Sequence, residues 1–463
     1  VTSTAFPSRD DPVAAAASEW IGGPAGRHAM PGGGWWSPLR IALAVACVVL
    51  ALGVISKQPC HERSWETRDD RTVWTSLCYS DVPFLYQERG FADGAVAYLD
   101  RTDLEYPVVT GAVMQISAYG AQAVQSVLGS EAENVTLAES VRFYEITALL
   151  MAVSALVAVV ATARTVPRRP WDGLLVAASP VLLLSATINW DLLAVAATSV
   201  AILAWTRERP GWAGVLIGVG AAAKLYPVLL LGAMLLVVMR APDRRTAFRG
   251  FGRTTAGTAA AWVALNAPVA ALSWDGWAAF FRFNAERGAD FGSAWYAIGI
   301  LAPDLLRDDI DRLVVGAGLI MLGLIVVLAM VAPEPPRLAQ LAFLAVAAFL
   351  LVNKVWSPQY TLWLLPLAVL ARPRWRELLV WQVAEVAYFI SIWFYLAGFF
   401  DPEHPMISSE VYAWSVLLRV AALLWLCGVV IRDILRPEND PVRPYAEMES
   451  HDHSRGAKGA IPA

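Results

Sequence analysis

A chain of 463 residues that is 57% hydrophobic and 16% charged, with mean hydropathy +0.50, is not an ordinary soluble domain, where about a quarter of residues are charged. Long apolar runs recur, for example at 41–55, 146–160 and 313–331, and strand-like alternation is absent; this excludes a β-barrel and defines an all-α polytopic membrane protein. The formal net charge of −4 is small and points to no nucleic-acid partner, whereas the distribution of charge along the chain is informative.

Residues 1–36 are rich in Pro, Gly, Ala and Ser and read as a disordered cytoplasmic tail; 433–463 read the same way. His451-Asp452-His453 belongs to that solvated tail rather than to a metal site. The first apolar run lacks a convincing small-residue cleavage site, so it is expected to stay as an anchor. Between the tails lies one membrane domain, 37–432. Lys and Arg mark cytoplasmic loops, and they cluster at 164–169, 207–209, 240–253, 337, 372–376 and 432–436. That pattern predicts about twelve spans with both termini inside: 38–56, 141–163, 171–188, 190–206, 211–224, 226–240, 254–274, 312–332, 338–353, 359–371, 377–398 and 410–431. Several are shorter than the ~20 residues of a full crossing, which suggests a thinned or water-filled half of the bundle. Residues 107–128 are apolar but carry Gly111, Gly120, Gln115, Gln122 and Gln125. Counting them as a span would put the 164–169 cluster outside, so they are expected to form an amphipathic helix on the outer surface.

This topology places the unusual polar residues on the extracytoplasmic side. A first long loop, 57–140, carries Cys78-Tyr79-Ser80-Asp81 and Leu104-Glu105-Tyr106-Pro107. Asn189-Trp190-Asp191 and Lys224-Leu225-Tyr226-Pro227 form hairpin tips. A second long loop, 275–311, holds Arg282, Arg287, Asp290, Trp295 and Tyr296, and Asn353-Lys354-Val355-Trp356-Ser357-Pro358-Gln359-Tyr360 forms a further turn. Cys60 and Cys78 share the first loop and can pair if it faces an oxidising compartment; Cys47 and Cys427 lie in apolar runs and are expected to be buried. Asn134-Val135-Thr136 fits a glycosylation acceptor pattern too common to carry meaning. No P-loop, Rossmann glycine pattern, zinc spacing or Ser-His-Asp arrangement is evident, which argues against a nucleotide-sugar enzyme.

Carboxylates, cations and aromatics converging at a membrane surface suit a substrate that is half lipid and half polar. A carboxylate can take the proton of an attacking hydroxyl. Lys as a point charge and Arg as a bidentate fork can hold a phosphate, and stabilising a departing phosphate electrostatically removes the need for a strong acid. Trp and Tyr anchor at the interface and can stack on sugar faces.

A long first external loop with an early Asp, a Tyr-Pro step opening a surface helix and Arg142 at the start of the second span resemble the GT-C glycosyltransferase superfamily. Asn-Trp-Asp at 189–191, Lys-Leu-Tyr-Pro at 224–227, the 287–296 motif and the 353–360 motif resemble the polyprenol-phosphate-mannose-dependent mannosyltransferases of glycosyltransferase family 87, common in actinobacteria. The resemblance spans about 38–431. It implies a plasma-membrane enzyme whose site is extracytoplasmic. It also implies a metal-independent, cofactor-free, inverting transfer from a polyprenyl phosphate sugar to a glycolipid or glycan acceptor, with Asp81 at the position of the base.

Each residue also has a bland reading. Asp81 follows Ser80 as a helix N-cap would, Glu105 can serve the dipole of the following helix, and Asp191 can cap a span. Lys224 and Lys354 can snorkel, and Arg287 can simply pair with Asp290 or Glu286. For the phosphate the preferred set is Lys224 with Arg282 or Arg287, then Lys354; Glu105, Tyr106, Asp191, Asp290, Trp295, Tyr296, Trp356, Gln359 and Tyr360 are candidates for the sugar and acceptor. The rival class is a transporter or flippase, which would show access from both sides and polar residues at mid-membrane; the same fold acting on another sugar, such as arabinose, is a further alternative.

Overall fold

The structure is a computed structural model that describes residues 36–443 apart from 64, 69, 101, 102, 129–133 and 307–309; residues 1–35 and 444–463, His451, Asp452 and His453 with them, lie outside the described residues. The described residues form helices and no strand. In chain order these are α1 (Pro38–Ile55), the short α2 (Gln58–His61), α3 (Arg71–Thr75) and α4 (Asp81–Glu88), then α5 (Val108–Leu128), α6 (Val135–Thr165), and a broken pair α7 (Asp172–Ala177) and α8 (Pro180–Ser185). They continue with α9 (Asp191–Thr206), α10 (Pro210–Ala221), α11 (Leu229–Met239), α12 (Arg244–Leu272), α13 (Trp274–Glu286) and α14 (Ala294–Leu301). The chain closes with α15 (Ile310–Val331), α16 (Leu338–Val352), α17 (Thr361–Ala371), α18 (Trp375–Phe400) and α19 (Ser409–Leu435).

Six of these, α1, α6, α12, α15, α18 and α19, are long and apolar enough to cross a membrane. Every one of the twelve stretches read from the sequence is largely helical, but α9, α10, α11, α16 and α17 are shorter, and the stretch at 171–188 breaks at Ser179-Pro180. Proline removes a backbone donor there and restarts a helix, with Ser179 capping Leu182 N. The same logic starts other elements: Ser37 before Pro38 caps α1, Asn134 caps α6 by accepting from Leu137 N, and Ser408 caps α19. The Asn134-Val135-Thr136 tripeptide is thus a helix start.

The short helices pack by close backbone approach. In α10, a Cβ on Gly214 would meet Thr254 O of α12 at 2.0 Å, and Thr254 and Thr258 donate to Pro210 O and Gly214 O at 3.0 and 3.1 Å. Small residues at this spacing let helices associate where lipid supplies no hydrophobic drive. By contrast α1 and α15 present most of their surface outward. Cys47, expected to be buried, is exposed on the outer face of α1 because that helix sits at the bundle's edge, while Cys427 is buried as expected. Helix α5 has one buried face; its first turn is bonded to the 222–223 turn through Val109 N and Thr110, and Gln122 reaches Phe91 O.

The chain after 433 differs from the tail expected there. Helix α19 runs to Leu435, and the following residues pack against one end of the bundle: buried Asp440 binds Arg337 at 2.7 Å and Gln340 at 3.2 Å. A polar-rich sequence reads as solvated, but Asp440 and Asp433 meet Arg337 and Arg372, brought there by the ends of α16 and α17.

Candidate functional site

At the other end of the bundle lies a chamber of about 630 Å3. Its walls come from segments far apart in sequence: the first loop (Asp81, Glu105, Tyr106), the 188–189 and 224–226 tips, the 280–292 segment and the 353–360 turn. Nine residues singled out in the sequence line it, namely Asp81, Glu105, Tyr106, Lys224, Arg287, Asp290, Lys354, Gln359 and Tyr360.

Asp81 is the first residue of α4, and the capping is done by its neighbour: the Ser80 hydroxyl accepts from Val82 N and donates to Thr187 O at 2.7 Å. The Asp81 carboxylate is therefore released from capping, and its backbone is pinned through Asp81 N to Ile188 O at 2.9 Å. Two donors orient it. Tyr79 OH donates to Oδ1 at 2.5 Å and Asn189 Nδ2 to Oδ2 at 2.9 Å. The chain of bonds extends outward on both sides. Arg68, held by a fork to Glu88, donates to Tyr79 OH at 2.6 Å, and Asn189 also donates to Tyr106 OH at 2.7 Å. Burial, then the charge of Asp81, pushes the phenol pKa of both Tyr79 and Tyr106 well up, so both stay protonated.

Beneath this loop, Cys60 and Cys78 form a disulfide. Lys57 is fully buried, donates to Leu77 O at 3.2 Å and Tyr79 O at 3.0 Å, and has its pKa pushed down to about 7 by burial. The segment carrying Asp81 is thus tied down by a covalent link, a buried amine and a cap.

Opposite Asp81 stand the cations. Lys224 lies between the rings of Tyr106 and Tyr360, 5.3 Å from each centroid, and 3.7 Å from Asp191. Burial opposes its charge, but Asp191, Tyr360 and Asp81 outweigh burial and raise its pKa; it stays an ammonium. Arg287 pairs with Asp290 at 2.5 Å, and Lys354 meets Asp311 at 2.7 Å and Ala285 O at 3.1 Å. The two motifs are locked together by Asp290 N donating to Lys354 O at 2.8 Å and by Gly292, where a Cβ would sit 2.0 Å from Trp356 O. No residue but glycine fits that crossing.

Five sequence candidates lie elsewhere. Arg282 points away from the chamber and pairs with Asp275 at 3.3 Å, because it falls on the outer face of α13. Asp191 is fully buried behind Lys224, accepting from Trp363 Nε1 at 2.7 Å. Trp295 donates to Val352 O at 2.8 Å, Tyr296 OH meets Tyr395 OH at 2.9 Å, and Trp356 is fully buried under the turn. Arg142 pairs with Glu145, which also holds His61. Glu105, read as a helix-dipole or acceptor residue, is gripped by a fork from Arg89 at 2.6 and 2.8 Å on the chamber wall. Lining residues passed over in the sequence include Arg68, Trp74, Glu88, Arg89, Trp393 and Phe400. Trp74 stacks on Tyr79 and Phe400 with centroids 4.9 and 5.2 Å apart. Among the described residues no three His, Cys, Asp or Glu side chains come together as a metal site.

The chamber thus brings an oriented carboxylate and a group of cations together on a bundle of apolar helices. The family comparison supports a class: residues 136–358 match the model of glycosyltransferase family 87, so that stretch of the chain is similar to a family of membrane glycosyltransferases. The match takes in Asn189, Lys224, Arg287, Asp290 and Lys354, while Asp81 and its loop lie before it. No curated protein matches the chain.

Proposed function

We propose that this chain is a glycosyltransferase that moves a sugar, mannose on the motif resemblance, from a polyprenyl monophosphate to a glycolipid or glycan acceptor at the extracytoplasmic face of the plasma membrane. Asp81 accepts the proton of the acceptor hydroxyl as that oxygen bonds to the anomeric carbon; the bond from that carbon to the phosphate oxygen breaks on the opposite face, giving inversion. Lys224, Arg287 and Lys354 receive the departing polyprenyl phosphate, and electrostatic stabilisation of that group makes a strong acid unnecessary. Glu105, Tyr106, Gln359 and Tyr360 bind the sugar and acceptor.

The observation that carries this reading is the Asp81 carboxylate, relieved of capping and oriented by Tyr79 and Asn189, across one chamber from Lys224. The disulfide on the loop beside it supports an oxidising, extracytoplasmic face. Salt bridges of Arg337 with Asp440 and Arg372 with Glu377 knit the far end. The test is incubation of purified protein with labelled polyprenyl-phosphate mannose and a cell-envelope lipid extract, followed by mass spectrometry. A mannosylated product from wild type and none from a well-folded Asp81→Asn variant is the expected result; normal product from Asp81→Asn would sink the base assignment.

A further inference from the structure

The bundle interior contains a salt bridge that the proposed chemistry does not use. Glu385 of α18 and Arg419 of α19 meet at 2.7 Å, both almost wholly buried. Charges at such depth are costly, and inside membrane helices they are rare unless they serve a function. Neither residue lies in the stretch that matches family 87.

The bonds made by Arg419 show what the pair is for. Nη1 donates to Trp356 O at 2.8 Å, and Nη2 to Thr361 Oγ1 at 3.0 Å and to Ser357 O at 3.4 Å. Its guanidinium sits between the rings of Trp356 and Tyr388, 4.0 and 4.1 Å from their centroids. Glu385 completes the clasp by accepting from Thr361 at 2.7 Å and Trp381 at 3.1 Å. Nearly every bond therefore falls on one stretch, 356–361, whose neighbours Lys354, Gln359 and Tyr360 line the chamber. The 287–292 motif rests on the same stretch, through Gly292 against Trp356 O and Asp290 N on Lys354 O. Tyr412, also of α19, adds a bond to Phe291 O at 2.6 Å.

We infer that Glu385 and Arg419 are positioning residues that hold the 353–361 turn, and with it Lys354 and Arg287, in register for the phosphate of the lipid-linked donor. The inference rests on the proposed donor chemistry. A planar fork can bridge two carbonyls and a hydroxyl at once, which a lysine ammonium cannot do in the same plane; a hydrophobic pair can fill the space but bridges nothing.

The test compares wild type with Arg419→Lys and with the paired replacement Arg419→Met and Glu385→Met, which leaves no unpaired charge. Folding is read by monodispersity and thermal melting, and transfer by KM for polyprenyl-phosphate mannose, KM for acceptor and kcat. Small misplacement of binding groups costs on the order of tenfold or more, so both variants should fold and show a donor KM raised about tenfold, with acceptor KM unchanged. Donor KM within about twofold of wild type in either folded variant overturns the inference. So does loss of folding in both, which would assign the pair to stability alone. Wild-type protein that transfers nothing sinks the donor reading itself, an outcome separate from insensitive variants of an active enzyme.

Discussion

The two ends of the bundle use the same charged residue types to opposite effect. At the end away from the chamber, Arg337 places Nε and Nη2 on Asp440 at 2.7 and 2.9 Å and its remaining donors on Leu370 O and Ala371 O. Arg372 is likewise enclosed, bonded to Asp433 and Glu377. The donors of Arg337 end on the last carbonyls of α17 and on Asp440 after α19, and those of Arg372 on α18 and α19. At the chamber end some pairs are as close, Arg287 with Asp290 at 2.5 Å and Lys354 with Asp311 at 2.7 Å, but Arg287 and Lys354 also line the chamber. Lys224 stands 3.7 Å from Asp191, and Asp81 is held by neutral donors alone. Closed arginine clusters fasten helix ends, whereas cations with directions to spare can meet a ligand. Charge type does not separate these roles; what the charges face does.

The largest effect belongs to Asp81→Asn, which keeps the bonds' shape and removes the base; transfer should fall about a thousandfold or more with an unchanged melting curve. Arg337→Ala should act in the opposite way, leaving kcat intact while the uncompensated buried Asp440 costs about 3 kcal/mol of stability, read by thermal or denaturant unfolding. If Arg337→Ala instead abolished transfer in a folded protein, the division between the two ends would fail. Lys224→Met should lower kcat/KM by about 30-fold, roughly 2 kcal/mol of phosphate stabilisation, with the loss in kcat as well as in donor KM.

Lys57 should act on stability alone. Its folded pKa of about 7 lies below the ordinary lysine value of 10.5, so between those limits the unfolded chain binds the extra proton. Stability then rises with pH across that window, by at most about 1.4 kcal/mol per pH unit. Melting temperatures of wild type from pH 7 to 9 should climb, and Lys57→Met should flatten the climb. An equal slope in both proteins would show that Lys57 is not the group responsible.

Much of this arrangement was legible in the chain. Apolar runs located the helices, and Lys and Arg spacing put Asp81, Lys224, Arg287 and Lys354 at one end. Ambiguity remained wherever two readings share a residue pattern. Ser80 and Asp81 both suit a cap, and the geometry gives that task to Ser80, freeing Asp81. Arg282 and Arg287 differ by little in sequence, yet only Arg287 turns into the chamber, since α13 ends at Glu286 and Arg282 is still on its outer face. Glu385 and Arg419 carried a readable signal, a charge within each of two apolar helices, but nothing in sequence joins residues 34 positions apart on different helices. Arg68, Glu88 and Arg89 looked like ordinary loop charges because their pairing depends on how the first loop folds back.

Taken alone, the sequence determined the membrane class, the positions of the helices and the group of motifs from which the site is made, because hydropathy, capping and charge bias are local properties. Only the tertiary structure decided which members of those motifs face the chamber and which lie behind it as supports. That choice depends on helix rotation, on close approaches such as Gly292 against Trp356, and on buried partners contributed by distant helices.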